Sequence, residues 1–132
     1  MKKEISDVVN LLRSNNQDKA LQVANDLYKK DQNNLNLNKV LAYIYMQKNA
    51  FPISVHLLKK GLQLKPDLKD FDYFNNLGYS LLKMEEYEEA IIYLNKALEI
   101  DRDTPGVYTN LSEVYLALRN FNKANEYIDK SI

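Results

Sequence analysis

Residues 75–103, NNLGYSLLKMEEYEEAIIYLNKALEIDRD, and residues 109–132, TNLSEVYLALRNFNKANEYIDKSI, have the same outline in this chain of 132 residues. Leu77 and Leu111 are 34 residues apart, and the same step links further pairs of apolar or small residues. Going backwards, a step of 36 links Leu41 to Leu77. A period of this length indicates that one supersecondary unit is repeated along the chain.

Within each unit the apolar residues have helical spacing. Phe74, Leu77, Gly78 and Leu81 stand at i, i+3, i+4 and i+7, as on one face of an α-helix. A second helix of the same kind follows the polar break MEEYEE. Pro52 stands where the second helix of an earlier unit should begin, and proline is tolerated in a first turn. The sequence therefore predicts an all-α fold of helix–turn–helix hairpins, with about eight helices in total.

The composition narrows the classes of protein. Lysine plus arginine and aspartate plus glutamate are 18 each, so the formal charge is zero. This balance argues against a nucleic-acid partner, which needs a positive surface. The absence of cysteine excludes a disulfide framework and permits a reducing compartment. No apolar run is long enough to cross a bilayer, and the N-terminus has no signal-peptide pattern. We predict no membrane partner and a cytoplasmic location.

The sequence offers no pattern typical of a catalytic, metal or cofactor site. His56 is the only histidine and falls on a predicted second helix. No glycine-rich loop could cradle a phosphate. Four glutamates at 85, 86, 88 and 89 flank a predicted turn, and Glu88 and Glu89 suit the positive end of a helix. We therefore predict that this chain is not an enzyme and that it binds no metal and no cofactor.

The repeated positions resemble those of the tetratricopeptide repeat family, whose unit has 34 residues. That pattern has large residues at positions 4, 7 and 11, small ones at 8, 20 and 27, and an apolar one at 24. Residues 71–104 match every one of these positions, whereas the unit before them has Asn38 at position 4. The resemblance implies a right-handed solenoid forming a single array over 1–132, with units 1–34, 35–70, 71–104 and 105–132, the last incomplete. In the repeat 1–34, the family pattern puts Asp7 at position 7 of the first helix. A shift of the repeat positions by one residue, which uses Ile5, Val8, Val9 and Leu12, packs better.

The family implies a concave surface lined by the first helix of each repeat, mainly through positions 2, 5, 6, 9, 12 and 13. The residues predicted to bind a peptide or protein segment there are Lys39, Tyr43, Asn75, Asn76, Tyr79, Lys83, Asn110 and Glu113. The cations predicted for this surface outnumber its acids, which favours an acidic ligand; they are Lys2, Arg13, Lys39 and Lys83, against Asp72 and Glu113.

Two asparagines, Asn76 and Asn110, share position 6. An asparagine amide can donate to a peptide carbonyl and accept from a peptide N–H, so a row of them could hold a backbone. This is similar to the asparagine ladder of O-linked N-acetylglucosamine transferase, although asparagine is also common at this position in the repeat. The carboxylate clamp of chaperone-binding members is excluded, because only Lys39 and Asn76 match its five positions.

The sequence stops within the second helix of its last unit, after YIDKSI. Repeat arrays usually end in a helix with a polar outer face. One hypothesis is that the chain is the N-terminal region of a longer protein, such as a glycosyltransferase or sulfotransferase. The other is a homodimer in which a second copy covers the uncapped helix. The function expected first is a protein-binding module, and the alternative is an assembly element that uses its ends.

Overall fold

The computed structural model describes residues 3–132, and over this range the chain forms helices and no strands. The helices are α1 (Ile5–Arg13), α2 (Gln17–Lys30), α3 (Leu35–Gln47), α4 (Phe51–Leu64), α5 (Phe71–Lys83), α6 (Tyr87–Ile100), α7 (Pro105–Ala117) and α8 (Phe121–Ser131). The prediction of an all-α fold with eight helices in hairpins is confirmed. The division of the whole chain into a single array of four units stays a prediction.

The chain forms two compact units of four helices each, Met1–Asp67 and Leu68–Ile132. These are called the first and second units below, and the segments of 34 or 36 residues are called repeats. In the first, α1 packs on α2, α3 packs on α4, and α3 contacts both α1 and α2. In the second, α5 packs on α6, α7 packs on α8, and α7 contacts both α5 and α6. Each unit is therefore two stacked hairpins that bury a common core.

Every hairpin turns through one residue in the left-handed backbone region. Asn15 and Asn49 have φ of 60°, and Glu85 and Arg119 have φ of 62°. In each turn the N–H of the following residue donates to a carbonyl five residues back, at 2.8 to 2.9 Å. This is the Schellman arrangement, which satisfies carbonyls that the end of a helix leaves open. The same turn at the same repeat position gives the four hairpins one geometry.

The first helix α1 is fixed by its start. The side chain of Asp7 accepts a hydrogen bond from the Glu4 N–H at 2.8 Å, and together they form a capping box. Asp7 is thereby used as a cap, and Val8 is the residue of α1 that is fully buried. The packing agrees with the register shifted by one residue.

Close approach between the helices of a hairpin depends on small residues. A Cβ added to Gly78 of α5 would lie 2.6 Å from Cγ of Leu94 on α6. Leu94 is fully buried and cannot swing out to solvent. The equivalent residue of α3 is Ala42, also fully buried. The α5–α6 hairpin is thus packed more closely than an alanine would allow.

Two buried positions were missed by the sequence pattern. Position 3 of the repeat is buried in α3, α5 and α7, and position 10 is buried in the same three helices. The residues concerned are Leu37, Tyr73 and Val107 at position 3, and Ile44, Ser80 and Val114 at position 10. In the second unit these two positions give α7 a stripe seven residues apart, which is buried where α7 packs on the α5–α6 hairpin.

The connections also follow the sequence. Four residues join α2 to α3 and α6 to α7, whereas six residues, 65–70, join α4 to α5. The two extra residues of the 36-residue step therefore lie in that connection, where insertions cost little. Pro52 lies in the first turn of α4, as predicted.

Asn38 on α3 interrupts an aromatic pattern. The residues that replace it in the later repeats, Phe74 and Tyr108, stack on tyrosines of α6 and α8. The Asn38 side chain is fully buried, and neither of its polar atoms has a hydrogen-bond partner in the described part of the chain. An amide left in this state costs stability, because its hydrogen bonds to water are lost and not replaced.

A first prediction concerns the left-handed turns. Glu85→Asn should raise the free energy of unfolding by about 0.5–1 kcal/mol, because asparagine tolerates positive φ better than glutamate does. The change is measured as a shift of the urea midpoint at constant m-value. The reverse substitution in the first unit, Asn49→Glu, should lower the midpoint. Equal midpoints for wild type and both variants would show that the turns carry no strain.

A second prediction concerns the core. Asn38→Leu should raise the free energy of unfolding by about 1–3 kcal/mol, since it removes a buried amide without partners and keeps a similar volume. Asn36→Leu on the exposed side of the same helix is the matched control and should change little. Thermal and urea unfolding measure both variants. A loss of stability in Asn38→Leu would mean that the amide has a partner in solution.

Candidate protein-binding surface

In the second unit, the amides of Asn75 and Asn110 meet. Asn110 lies on α7 and donates from Nδ2 to Oδ1 of Asn75 on α5, at 3.1 Å. Both side chains are half-buried. The bond ties the two first helices together and orients both amides. It leaves Nδ2 of Asn75 and Oδ1 of Asn110 without partners in the described part of the chain.

Asn76 is the neighbour of Asn75 on α5 and is also half-buried. Within residues 3–132 its side chain has no hydrogen bond. The sequence paired Asn76 with Asn110 because they share a repeat position. The direct contact of Asn110 is with Asn75 instead. Asn76 is thus adjacent in sequence to the bonded pair but not part of the bond.

An aromatic and a cationic residue follow on α5. Tyr79 is half-buried, and Nζ of Lys83 lies 5.3 Å from the centre of its ring. This distance is within the range of a cation–π interaction. The exposed ammonium is therefore held against the tyrosine, next to the amides one turn earlier. On α7, Glu113 and Leu116 are exposed.

In the first unit, the predicted residues Lys39 and Tyr43 lie on α3, one turn apart. Tyr43 is 43% exposed, whereas Lys39 is half-buried. The ring of Tyr43 is therefore more open than that of Tyr79. Met46 and Leu82, which the family pattern places on the binding surface at position 12, are instead buried. Lys2, which counted toward the positive charge of this surface, lies outside the described residues.

The sequence reading overlooked a lysine that recurs on the second helices. Lys60, Lys96 and Lys130 occupy the same repeat position. Nζ of Lys96 lies 5.9 Å from the ring of Phe74, and Nζ of Lys130 lies 5.8 Å from that of Tyr108. Each lysine covers the residue at position 4. Their spacing of 36 and 34 residues was a signal that could have identified them.

The repeat that has Asn38 at position 4 has no ring there for its lysine to cover. Its lysine, Lys60, instead lies 5.2 Å from the ring of Tyr28 and donates to the Tyr28 hydroxyl at 3.1 Å. It also reaches Oε1 of Gln32 at 3.3 Å. Lys60 therefore contacts an aromatic ring on α2, whereas Lys96 and Lys130 contact the ring at position 4 of their own repeat.

A second aromatic cluster lies between α7 and α8. Tyr127 stacks on both Tyr108 and Tyr115, with ring centres 6.1 and 5.6 Å away. The Tyr108 hydroxyl donates to the carbonyl of Arg102 at 2.8 Å. A pocket of about 210 Å³ opens beside Tyr108, Tyr127 and Lys130. Burial raises the pKa of the Tyr127 phenol, with the nearby Tyr115 adding to the shift.

One ion pair links two elements of the first unit. Nζ of Lys48, at the end of α3, lies 2.8 Å from Oδ1 of Asp18 on α2. The hydrogen bond and the charge of Lys48 lower the pKa of the Asp18 carboxyl. Because Asp18 is open to solvent, we expect this ion pair to add little to the free energy of unfolding.

The described residues contain no group of three or more histidine, aspartate or glutamate side chains that could hold a metal ion. His56 lies exposed on α4. Glu88 and Glu89 lie in the first turn of α6, as predicted, where the helix dipole favours negative charge. Over the same part of the chain, no helix has both the length and the hydrophobicity that crossing a bilayer requires.

Comparison with known proteins gives the family. Models of the tetratricopeptide repeat match residues 71–104 and residues 105–132. Residues 71–132 belong to the tetratricopeptide repeat family. A crystal structure of MamA has 24% sequence identity and a TM-score of 0.85, over 100% of this chain and 75% of that one. This likeness shows the same fold.

Two curated proteins are also similar. Dynein axonemal assembly factor 4 of Rattus norvegicus is 33% identical over 69 residues, 52% of this chain. Tetratricopeptide repeat protein 12 of Mus musculus is 24% identical over 100 residues, 70% of this chain. This chain spans only 16% and 14% of the lengths of those two proteins. The family and the fold support a role in protein–protein interaction or scaffolding.

The electrostatics of α5 give a third prediction. Tyr73 is buried, and burial, with the Asp70 carboxylate as the lesser cause, raises its pKa to about 12. The folded state therefore holds this proton more tightly than the unfolded state, whose tyrosine pKa is about 10. The resulting stability is present below about pH 10 and lost as the pH rises toward 12.

The loss over that interval should be about 2 kcal/mol for this group. Tyr73→Phe should remove this part of the alkaline loss, so its free energy of unfolding should fall less between pH 10 and pH 12 than that of the wild type. Urea unfolding at a series of pH values measures the two slopes. Parallel curves would contradict the assignment.

Proposed function

We propose that the chain is a protein-binding module that holds an extended peptide segment against α5 and α7 of its second unit. The observation that carries this proposal is the Asn110–Asn75 hydrogen bond. It fixes two amides at the facing surfaces of two helices and leaves the Nδ2 group of Asn75 and the Oδ1 atom of Asn110 without a partner in the described part of the chain. A peptide group offers one acceptor and one donor, so it can satisfy both.

The remaining predicted residues supply contacts of other kinds. Asn76 adds a third amide, and the Tyr79 ring with Lys83 adds an amphipathic contact at the next turn of α5. Tyrosine gives large contact area at low entropy cost. On α7, Glu113 offers a carboxylate. In this proposal the amides bind the ligand backbone, while Tyr79, Lys83 and Glu113 select its side chains.

Lys39 and Tyr43 of the first unit form part of the same proposal as a second contact region on α3. Their half-buried and exposed side chains lie on one face of that helix, one turn apart. Similarity to an axonemal assembly factor supports a protein ligand in general. It does not identify the partner of this chain.

A fourth prediction tests the amide contacts. A peptide is first selected from a random library on the wild-type chain, and its Kd is measured by fluorescence polarisation. Asn76→Ala and Asn75→Ala should each weaken binding by about 2- to 10-fold, the value of one hydrogen bond. Asn122→Ala, an exposed asparagine at the start of α8, is the matched control and should bind as wild type does.

Methylation of single backbone nitrogens in the selected peptide identifies its partner atom. N-methylation removes a peptide N–H, the group that Oδ1 of Asn110 would accept from, so it should weaken binding to the wild type but have little further effect on an Asn110→Ala variant. If no N-methyl peptide binds more weakly, or if Asn122→Ala weakens binding as much as Asn76→Ala, the backbone-binding role is wrong.

A further inference from the structure

The pocket of about 210 Å³ in the second unit lies between α6, the connection to α7, and α8. Two cations, one carboxylate and one amide meet there, on side chains that are all exposed. They belong to Asn95 and Glu99 of α6, Arg102 of the connection and Lys130 of α8. The apolar part of the wall is formed by Leu98 and by the rings of Tyr108 and Tyr127. None of these residues is among those assigned to peptide binding on α5 and α7.

The connection that carries Arg102 is fixed by three hydrogen bonds. The N–H of Asp103 donates to Oδ1 of Asp101 at 2.9 Å, and the Thr104 hydroxyl donates to the Asp101 carbonyl at 3.2 Å. The Tyr108 hydroxyl donates to the carbonyl of Arg102 at 2.8 Å. The guanidinium of Arg102 has no hydrogen bond or ion pair in the described part of the chain. An ordered backbone therefore presents an unpaired cation to the pocket.

Lys130 is the second cation of the pocket. Its Nζ lies 5.8 Å from the centre of the Tyr108 ring and 5.6 Å from that of Tyr127, so both rings hold the ammonium in place. Among the described residues, its ion-pair partner is Glu126 at 3.6 Å, and both side chains are about half exposed. Such an exposed pair is weak. The ammonium of Lys130 can therefore donate hydrogen bonds to a ligand.

The first unit shows how the equivalent lysine is satisfied. Lys60, which stands on α4 two repeats before Lys130, donates from Nζ to the Tyr28 hydroxyl at 3.1 Å and to Oε1 of Gln32 at 3.3 Å. Tyr28 belongs to α2, and Gln32 belongs to the connection that follows it. In the first unit, two oxygen atoms of the chain itself therefore accept hydrogen bonds from the ammonium.

The second unit has replaced both of these oxygen-bearing side chains. The residues that correspond to Tyr28 and Gln32 are Leu98 and Arg102, one step of 34 and one of 36 further along the chain. Leucine is shorter than tyrosine and has no hydroxyl, so it leaves room beside Lys130 and removes one acceptor. Arginine has donors only, so it cannot accept a hydrogen bond from the lysine. Two cations thus line the place where the first unit has two oxygen acceptors.

A carboxylate meets the requirements of this pocket. Its two oxygen atoms take the place of the hydroxyl and amide oxygens of the first unit, and its charge is stabilised by both cations. Glu99 offsets one of those cations, which leaves a single net positive charge on the pocket wall. That charge matches a carboxylate better than a doubly charged phosphate. Leu98 and the two tyrosine rings offer apolar contact to a short carbon stem.

We propose that this pocket binds a carboxylate on a short carbon stem, presented by a protein ligand as its C-terminus or as an acidic side chain. The Arg102 guanidinium and the Lys130 ammonium hold the two oxygen atoms. The site is independent of the amide contacts on α5 and α7, because it shares no residue with them. Loss of one site therefore leaves the other testable.

The fifth prediction tests the pocket with probes that differ in one group. N-acetyl-leucine carries a terminal carboxylate, and N-acetyl-leucinamide is its neutral counterpart. N-acetyl-glutamate α-amide and N-acetyl-glutamine α-amide form the corresponding pair for a side chain. In an NMR titration of the isotope-labelled chain, at least one carboxylate should shift the backbone signals of Arg102, Tyr127 and Lys130. The expected Kd is about 1–10 mM, as for a ligand of about twelve non-hydrogen atoms.

The carboxylate that binds more tightly identifies the source of the group. The neutral amides should leave these signals unchanged at the same concentrations. If neither carboxylate binds, or if each binds no better than its amide, the proposal is wrong. Inorganic phosphate that binds at these residues more tightly than both carboxylates would overturn the choice of carboxylate.

Variants of the two cations link binding to the pocket. Arg102→Gln and Lys130→Gln should each weaken carboxylate binding by about 3- to 10-fold, since each removes a charge-assisted hydrogen bond. Lys123→Gln is the matched control, because Lys123 is an exposed lysine of α8 that lies 5.1 Å from the Tyr115 ring and does not line the pocket. It should bind as wild type does. Equal weakening by Lys123→Gln and Lys130→Gln would contradict the proposal.

A double variant rebuilds the first-unit arrangement in the second unit. Leu98→Tyr with Arg102→Gln restores a hydroxyl and an amide oxygen beside Lys130, so it should bind the carboxylate more weakly than Arg102→Gln alone. Leu98 is 7% exposed, so thermal unfolding must first show that the double variant folds. A folded double variant that binds as well as Arg102→Gln would show that the carboxylate lies elsewhere. The exposed single variants decide the matter without it.

Discussion

The turn at the end of each first helix is the constraint on which the rest of the structure depends. A single left-handed residue and one hydrogen bond five residues back reverse the chain within a few residues. Because all four turns are alike, every second helix leaves its first helix at a similar angle. The facing residues, such as Gly78 and Leu94, then meet at fixed positions. Packing and surface both follow from this geometry.

The repeated turn also separates the roles of the residues. In the second unit, position 3 and position 10 bury one side of α7 against the preceding hairpin. Positions 5 and 6 lie outside this buried stripe. Asn75, at position 5, and Asn110, at position 6, are half-buried and form a hydrogen bond. The amides could not be placed so reproducibly on a loop, since a rigid helix fixes their direction. The candidate site is thus a consequence of the packing stripe beside it.

Much of this could be predicted from the sequence, because helical spacing and a constant step are properties of single residues. The hairpins, the longer connection at 65–70 and the first-turn role of Pro52 follow from such patterns. The Asn110–Asn75 bond does not, because it joins different repeat positions on two helices. The sequence marks Asn38 as a departure at a position of large residues, but the lack of hydrogen-bond partners for its amide in the described part of the chain depends on which groups of other helices lie nearby.

Departures from the repeat carry the information that is specific to this chain. Asn38 stands at the position that Phe74 and Tyr108 occupy in the later repeats, and Lys60 contacts the ring of Tyr28 instead of a ring at that position. Leu116 and Ile128 keep the repeat's apolar character but are exposed on α7 and α8. A residue that only obeyed the average pattern would be buried there. Apolar residues at the matching positions of α5 and α6, Leu82 and Leu94, are buried, so the exposure of such a residue depends on what packs against its hairpin and not on the repeat sequence alone.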